Sequence, residues 1–317
     1  MSDKSFTDIR KWRDTHIITI TTNHFLLNQF HDEVYSRVIS LAEKQVEEVY
    51  GPPPCPFSFF VMGSAGRKEQ SVWSDQDHGM IYQKDGDLEE NYFLTLGKQI
   101  SIGLNEVGYP FCDGKVMASN TLWCKSISQW EIQLLEWSQN SSWESIRNLL
   151  IFTDGRPLYG KSSLLTSLKN LLNERIINGN LLPRLTYNTQ YHKKGIGVFG
   201  QFLTETHGPF SGQLNMKEIC FFPYVNSARL LALKENVAET STLSRLKMLY
   251  QIPNIDGIIH HFIKLLSYRL TYTIQTDYES GHYLPINNLL REQKLELKDI
   301  IKTGAAFLQY VTKVVVS

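Results

Sequence analysis

FSFFVMGSAGRKEQSVWSDQDHGMIYQ, residues 57–83, holds two short apolar runs, 57–62 and 79–82. Between them lie a turn, Gly63-Ser64-Ala65-Gly66, a short polar segment, and two aspartates one residue apart, Asp75 and Asp77. The pattern reads as strand, glycine turn, short helix, strand. In an extended chain residues i and i+2 project to the same side, so Asp75 and Asp77 sit side by side on one face. Two carboxylates that close repel each other unless a cation lies between them. A magnesium ion bound to phosphate oxygens is the natural candidate.

The 317 residues around this stretch give room for two domains. Lys and Arg number 32 against 32 Asp and Glu. That balance weighs against nucleic acid as substrate and offers no basic face to a membrane. Apolar content of 42% suffices for a packed core and excludes a disordered chain. The N-terminal residues lack a secretory pattern, and the C-terminal FLQYVTKVVVS is too short and interrupted to span a bilayer. Cys55, Cys112, Cys124 and Cys220 form no CxxC pair, so reduced thiols in a cytoplasmic protein are expected.

Residues 17–20 are rich in β-branched side chains and fit a short strand or a packed arm. From about Thr22, Phe25, Leu26, Phe30, Val34, Val38, Ile39 and Leu41 recur at helical spacing until Gly51 and three prolines end the run. Past the central stretch, Tyr92, Leu96, Ile100, Leu104 and Val107 mark a helix over 88–107. Lys115 to Ala118, KVMA, reads as a third strand, and 126–137 and 143–152 as helices. Trp123, Trp130, Trp137 and Trp143 read as core. From 161 on the pattern is helical, over about 161–177, 181–206, 216–221, 224–236, 240–250, 256–278 and 297–315, with no second β-rich run. The expected fold class is α+β, a small mixed sheet with covering helices followed by an all-α helical bundle. The expected division is a helical segment 1–54 packing on the sheet domain, the sheet domain 55–160, and the helical domain 161–317.

A glycine-serine turn at a helix start presents backbone N–H groups to an anion. Gly63 lets a phosphate approach the backbone and Ser64 offers a hydroxyl, while Asp75 and Asp77 supply acidic oxygens nearby. Together they make a metal-nucleotide site: the turn takes the outer phosphates, the carboxylates take the metal, and an incoming hydroxyl attacks the α-phosphate as pyrophosphate leaves.

Gly63, Ser64, Gly66, Arg67, Glu69, Gln70, Asp75, Gln76 and Asp77 together resemble the nucleotidyltransferase motif of the DNA polymerase beta superfamily. Within it the run is similar to the uridylyltransferase of the nitrogen regulatory protein and the adenylyltransferase of glutamine synthetase. It resembles more closely a bacterial nucleotidyltransferase family often fused to CBS and cyclic-nucleotide-binding domains. GYPFCDGKVMASNTLWCKSISQW (108–130) and FTDGRPLYG (152–160) resemble later blocks of that catalytic domain. MKEICFFPYVNSARLLAL (216–233) and STLSRLKML (241–249) resemble its helical substrate-binding domain. The resemblance implies transfer of a nucleoside monophosphate from a triphosphate, ATP or UTP, to a protein or small-molecule acceptor, with Mg2+ or Mn2+ and a place in signal transduction. The length leaves no room for the CBS or cyclic-nucleotide modules, so a stand-alone form is expected.

The superfamily usually adds a third acidic residue. Asp113, just before the KVMA run, is the nearest candidate for that catalytic position, with Asp154 as the alternative; both also suit turns beside glycines. Without a third carboxylate, a catalytically weak or inactive nucleotide-binding module is the second reading. Arg67 fits an anion contact or an ion pair with Glu69. Glu69 and Gln70 organise the turn, and His78 packs on the opposite face. Asn120 fits a contact to base or ribose, or a turn. In the helical half, Lys193 and Lys194 within TYNTQYHKKG (186–195) fit a solvated face or a segment that closes over a triphosphate, while Lys217, Arg229 and Arg245 are the nucleotide-binding candidates.

Overall fold

The structure is a computed structural model and describes residues 3–140 and 142–316. The chain divides into two compact units, Met1–Arg175 and Ile176–Ser317.

The first unit is built on a four-stranded sheet in the order β3-β2-β1-β4, with β1 Phe57–Val61, β2 His78–Tyr82, β3 Cys124–Ser126 and β4 Arg156–Gly160. The central β1 runs antiparallel to β2 and β4, and β2 runs parallel to β3. Every residue of β1 and β2 is buried. Helices cover both faces, which is why both strands read as continuous apolar runs. On one face Phe57 and Tyr82 pack against Phe93 of α4 (Asp87–Val107). On the other Phe60 meets Trp130 of α5 (Ile127–Gln139) and Phe152 of α6 (Trp143–Thr153). Helices α1 (Phe6–Ile17) and α2 (His24–Tyr50) pack on α4, a four-residue turn α3 (Gly63–Gly66) follows β1, and α7 spans Ser163–Asn178.

Several expectations need correcting. The N-terminal residues are not a strand; the packed arm takes the form of a helix. Phe6, Ile9, Arg13 and Ile17 recur at helical spacing and are buried, and Ser5 caps the helix through its side chain. KVMA is not the third strand. Lys115 has φ 53°, which breaks an extended run, and the third strand lies further on at Cys124–Ser126. Arg156 and Pro157, where no strand is expected, start β4. Proline is tolerated there because β4 is an edge strand whose register shifts against β1 between Phe59 and Phe60. Trp123, Trp130 and Trp137 are core, but Trp143 is 67% exposed at the start of α6.

The second unit is helical: α8 (Leu182–Tyr187), a π-helical turn Lys217–Phe221 leading into α9 (Phe222–Lys234), α10 (Thr242–Met248), α11 (Ile255–Tyr272) and α12 (Arg291–Val316). Helix α9 packs against α8, α10 and α12. It also contains a β-ribbon that the sequence did not suggest, β5 (Gln213–Asn215) against β6 (Tyr283–Pro285). The helix expected over 181–206 stops at Tyr187. Gly195, Gly197 and Gly200 follow, Gly200 at φ 77°, and only a bridge between Ile196 and Phe202 orders this stretch.

Candidate functional site

The site forms where β1 and β2 open at one end of the sheet. Beyond Val61 the Met62 N–H donates to the Asp77 carbonyl at 2.7 Å, so the chain leaving β1 stays tied to the chain entering β2. Gly63 follows with φ 52°. A Cβ at Gly63 would lie 2.0 Å from Asp77 Oδ2. The Asp77 carboxylate therefore rests directly over the Gly63 backbone, and no other residue type leaves that space. Gly66 closes the turn with equal economy of room, since a Cβ there would lie 2.2 Å from the Asp154 carbonyl oxygen. Ser64 Oγ is 3.2 Å from Ser74 Oγ.

Asp75 and Asp77 precede β2 rather than lying in it, yet the alternation expected of an extended chain holds. Both are half-buried, while Ser74, Gln76 and His78 between and around them are buried. The buried set fixes the opposite face. Gln76 Nε2 donates to the carbonyls of Ser101 (3.0 Å) and Tyr109 (2.8 Å). His78 Nδ1 accepts from the Ala118 N–H at 3.1 Å, so its proton sits on Nε2, which donates to Gln76 Oε1 at 3.0 Å. Burial lowers the His78 pKa to about 3, so the ring is neutral and structural.

The third member of the cluster is Cys112. One ligand atom from each of Asp75, Asp77 and Cys112 lies within 4.8 Å of the others. Burial, then Asp77, pushes the Cys112 thiol up to about 12. Neither expected third carboxylate joins them. Asp113 is exposed. Asp154 is fully buried and pairs with Arg67, Nη1 to Oδ2 at 2.8 Å. Arg67 also pairs with Glu69 at 2.8 Å. Burial opposes the Arg67 charge, but the two carboxylates outweigh it and hold the guanidinium charged. Of the two roles considered for Arg67, the structure displays the ion pair.

Asn120 closes a turn, donating to the Lys115 carbonyl at 3.0 Å and accepting from the Leu122 N–H at 3.0 Å. The remaining cations belong to the second unit. Lys217 is exposed beside Tyr278, with Nζ 3.3 Å from its hydroxyl. Arg229 is buried against Asn226, and Arg245 is buried and donates to the Glu239 carbonyl. Lys193 pairs with Glu205 at 2.6 Å.

Cys112 does not stand out in the sequence because it has no CxxC partner and occupies a place where a carboxylate is expected. The signal available was Cys112-Asp113-Gly114, a turn within a family-like block that attention to Asp113 passed over.

Two family profiles match the chain, and both concern the same protein family. One, described as "Putative nucleotidyltransferase DUF294", matches residues 14–144; the other, described as "Putative nucleotidyltransferase substrate binding domain", matches residues 179–315. The chain belongs to this nucleotidyltransferase family. The first match contains Gly63, Asp75, Asp77 and Cys112, and the second contains Lys217, Arg229 and Arg245. No curated protein matches the chain. Family membership supports a transferase at the coarse level, and nucleotidyltransferase domains bind nucleotide substrates. No helix among the described residues is long and apolar enough to cross a membrane.

The donors fit a divalent cation. Two carboxylates and a thiol converge, and the Tyr35 hydroxyl, 1% exposed and without a hydrogen-bond partner, feels the charges of Asp75 and Asp77.

Proposed function

We propose that this chain transfers a nucleoside monophosphate from a nucleoside triphosphate to a hydroxyl of a protein or small-molecule acceptor, releasing pyrophosphate. The observation that carries this reading is the seating of the Asp77 carboxylate on Gly63, beside Asp75, at the mouth of a glycine turn. Asp75 and Asp77 would hold a divalent cation, Mg2+ or Mn2+, which when bound neutralises charge building on the phosphates. The Gly63–Gly66 turn orients the phosphates through its backbone N–H groups and the Ser64 hydroxyl. Gln76 and His78 hold the two carboxylates in place from behind. Lys217, Arg229, Arg245 and Asn120 are proposed nucleotide or acceptor contacts, with the helical half (161–317) as acceptor domain and the first 54 residues as support. ATP or UTP is the proposed donor. A cytoplasmic signalling role is part of this reading, supported by four free cysteines among the described residues.

Incubation with each labelled triphosphate and a cell lysate tests the proposal. Transfer of label to an acceptor, lost in Asp77→Asn, supports it; tight triphosphate binding with no label on any acceptor sinks it. The placement of Asp113 and Asp154 outside the cluster favours one competing reading, a nucleotide-binding module with little turnover. That reading predicts a thermal shift with nucleotide and no pyrophosphate.

A further inference from the structure

The carboxylate pair has a sulfur neighbour where an acid was expected. We propose that Cys112 is the third protein donor to the cation at Asp75 and Asp77, and that it selects a sulfur-tolerant ion, Co2+ or Zn2+, over Mg2+. This rests on the metal-nucleotide reading above and deepens it.

The geometry is close to that of a shared ion. The three donor atoms lie within 4.8 Å of one another. Two donors across one zinc ion, at Zn–S and Zn–O lengths of about 2.3 and 2.2 Å, span at most about 4.5 Å.

Cys112 is also built into place. Its carbonyl accepts from the Lys115 N–H at 2.9 Å, and Lys115 turns the chain back with φ 53°. The returning segment is then tied to the base of β2, since the His78 N–H donates to the Val116 carbonyl at 3.0 Å and the Ala118 N–H to His78 Nδ1. The residue that anchors this loop is thus the immediate neighbour of Asp77. Gly114 leaves room for a cation beside the thiol: a Cβ there would lie 2.6 Å from Arg147 Nη2 and 3.5 Å from Cys112 Sγ.

A second buried polar group lies within electrostatic range of the pair. The Tyr35 hydroxyl is buried without a hydrogen-bond partner. Asp75 and Asp77 both act on it electrostatically. A hydrated ion held by the two aspartates supplies an oxygen to such a hydroxyl. Chemical softness then decides which ion. Mg2+ prefers all-oxygen octahedral surroundings and dehydrates reluctantly, whereas thiolate favours the later first-row divalent metals.

The test uses the full chain titrated with Co2+, in wild type, Cys112→Ser and Cys112→Asp, with folding checked by circular dichroism. The expected result is sulfur-to-cobalt charge-transfer absorption in the near ultraviolet for wild type and none for either variant. Cd2+ affinity should fall about tenfold or more in Cys112→Ser, while Cys112→Asp gains Mg2+ affinity by a similar factor. Co2+ binding by wild type without the sulfur band, or unchanged Cd2+ affinity in Cys112→Ser, overturns the role of Cys112 alone. If no divalent ion binds and Asp77→Asn alters no nucleotide binding, the metal-nucleotide reading fails and takes this inference with it. Should Cys112→Asp not fold, Cys112→Ser and the wild-type spectrum still decide.

Discussion

Gly63 does at one residue what two separate constraints demand. It takes a left-handed φ of 52°, and it leaves the space that Asp77 Oδ2 fills. Gly63→Ala is expected to cost about 1 kcal/mol or more through backbone strain alone. Its larger effect falls on binding, because the Asp77 carboxylate must move; calorimetric titration with triphosphate and Mn2+ should show affinity down tenfold or more, in the range typical of a displaced metal-site group. Unchanged affinity would mean Asp77 is not the group that holds the ion. Arg67 fails differently. Arg67→Ala leaves Asp154, fully buried, and Glu69, 3% exposed, without their cation. The expected loss is about 3–5 kcal/mol, read from urea unfolding. The aspartate pair and the glycine turn were legible because alternation and left-handed glycines are local properties of sequence. Cys112 was not, because its partnership with Asp77 is made by a loop returning to β2, which spacing does not encode.

At the scale of elements, α2 is fastened to the site's polar loop by His31 and by Asn28, whose Oδ1 accepts from the Gln70 N–H at 3.0 Å. His31 Nε2 donates to the Ser71 carbonyl at 2.8 Å, and Nδ1 accepts from the Tyr109 hydroxyl at 2.6 Å. Burial lowers its pKa to about 3 from 6.5. The unfolded chain therefore binds a proton that the folded chain refuses between those values. Stability should be complete above pH 6.5 and fall as pH drops toward 3. At pH 5 this one group accounts for roughly 2 kcal/mol. Urea midpoints at pH 7 and pH 5 in wild type and His31→Gln measure it: the variant should lose that share of the difference and keep the like contribution of buried His78, while costing stability at pH 7. The long elements α2, α4 and most of α12 were legible because many apolar residues repeat their period. The short ones were not. Strands β3, β5 and β6 have three residues each. Such strands are set by partners distant in sequence, and β4 hid behind a proline that only an edge position tolerates.

At the scale of the molecule, the two units carry different chromophores. All six tryptophans lie between Trp12 and Trp143, inside the first unit, and the second has only tyrosines and phenylalanines. Tryptophan fluorescence thus follows the unit that carries the site. Triphosphate and Mn2+ at a hundredfold their dissociation constant should raise its melting midpoint by about 5–10 °C. Asp77→Asn should abolish that shift. A shift seen by circular dichroism but absent from fluorescence would move the nucleotide site to the helical unit.

Strand β1 is hydrogen-bonded on both edges and buried on both faces, and the glycine turn begins two residues beyond its end. Its amides should be among the slowest in the first unit to exchange with deuterium, opening only when that whole unit unfolds. The phosphate turn inherits that rigidity from the strand it caps. Ligand arrival then spends little entropy on ordering this part of the site, and because β1 opens only with the whole unit, tight binding should slow its exchange by the same factor by which ligand stabilises that unit.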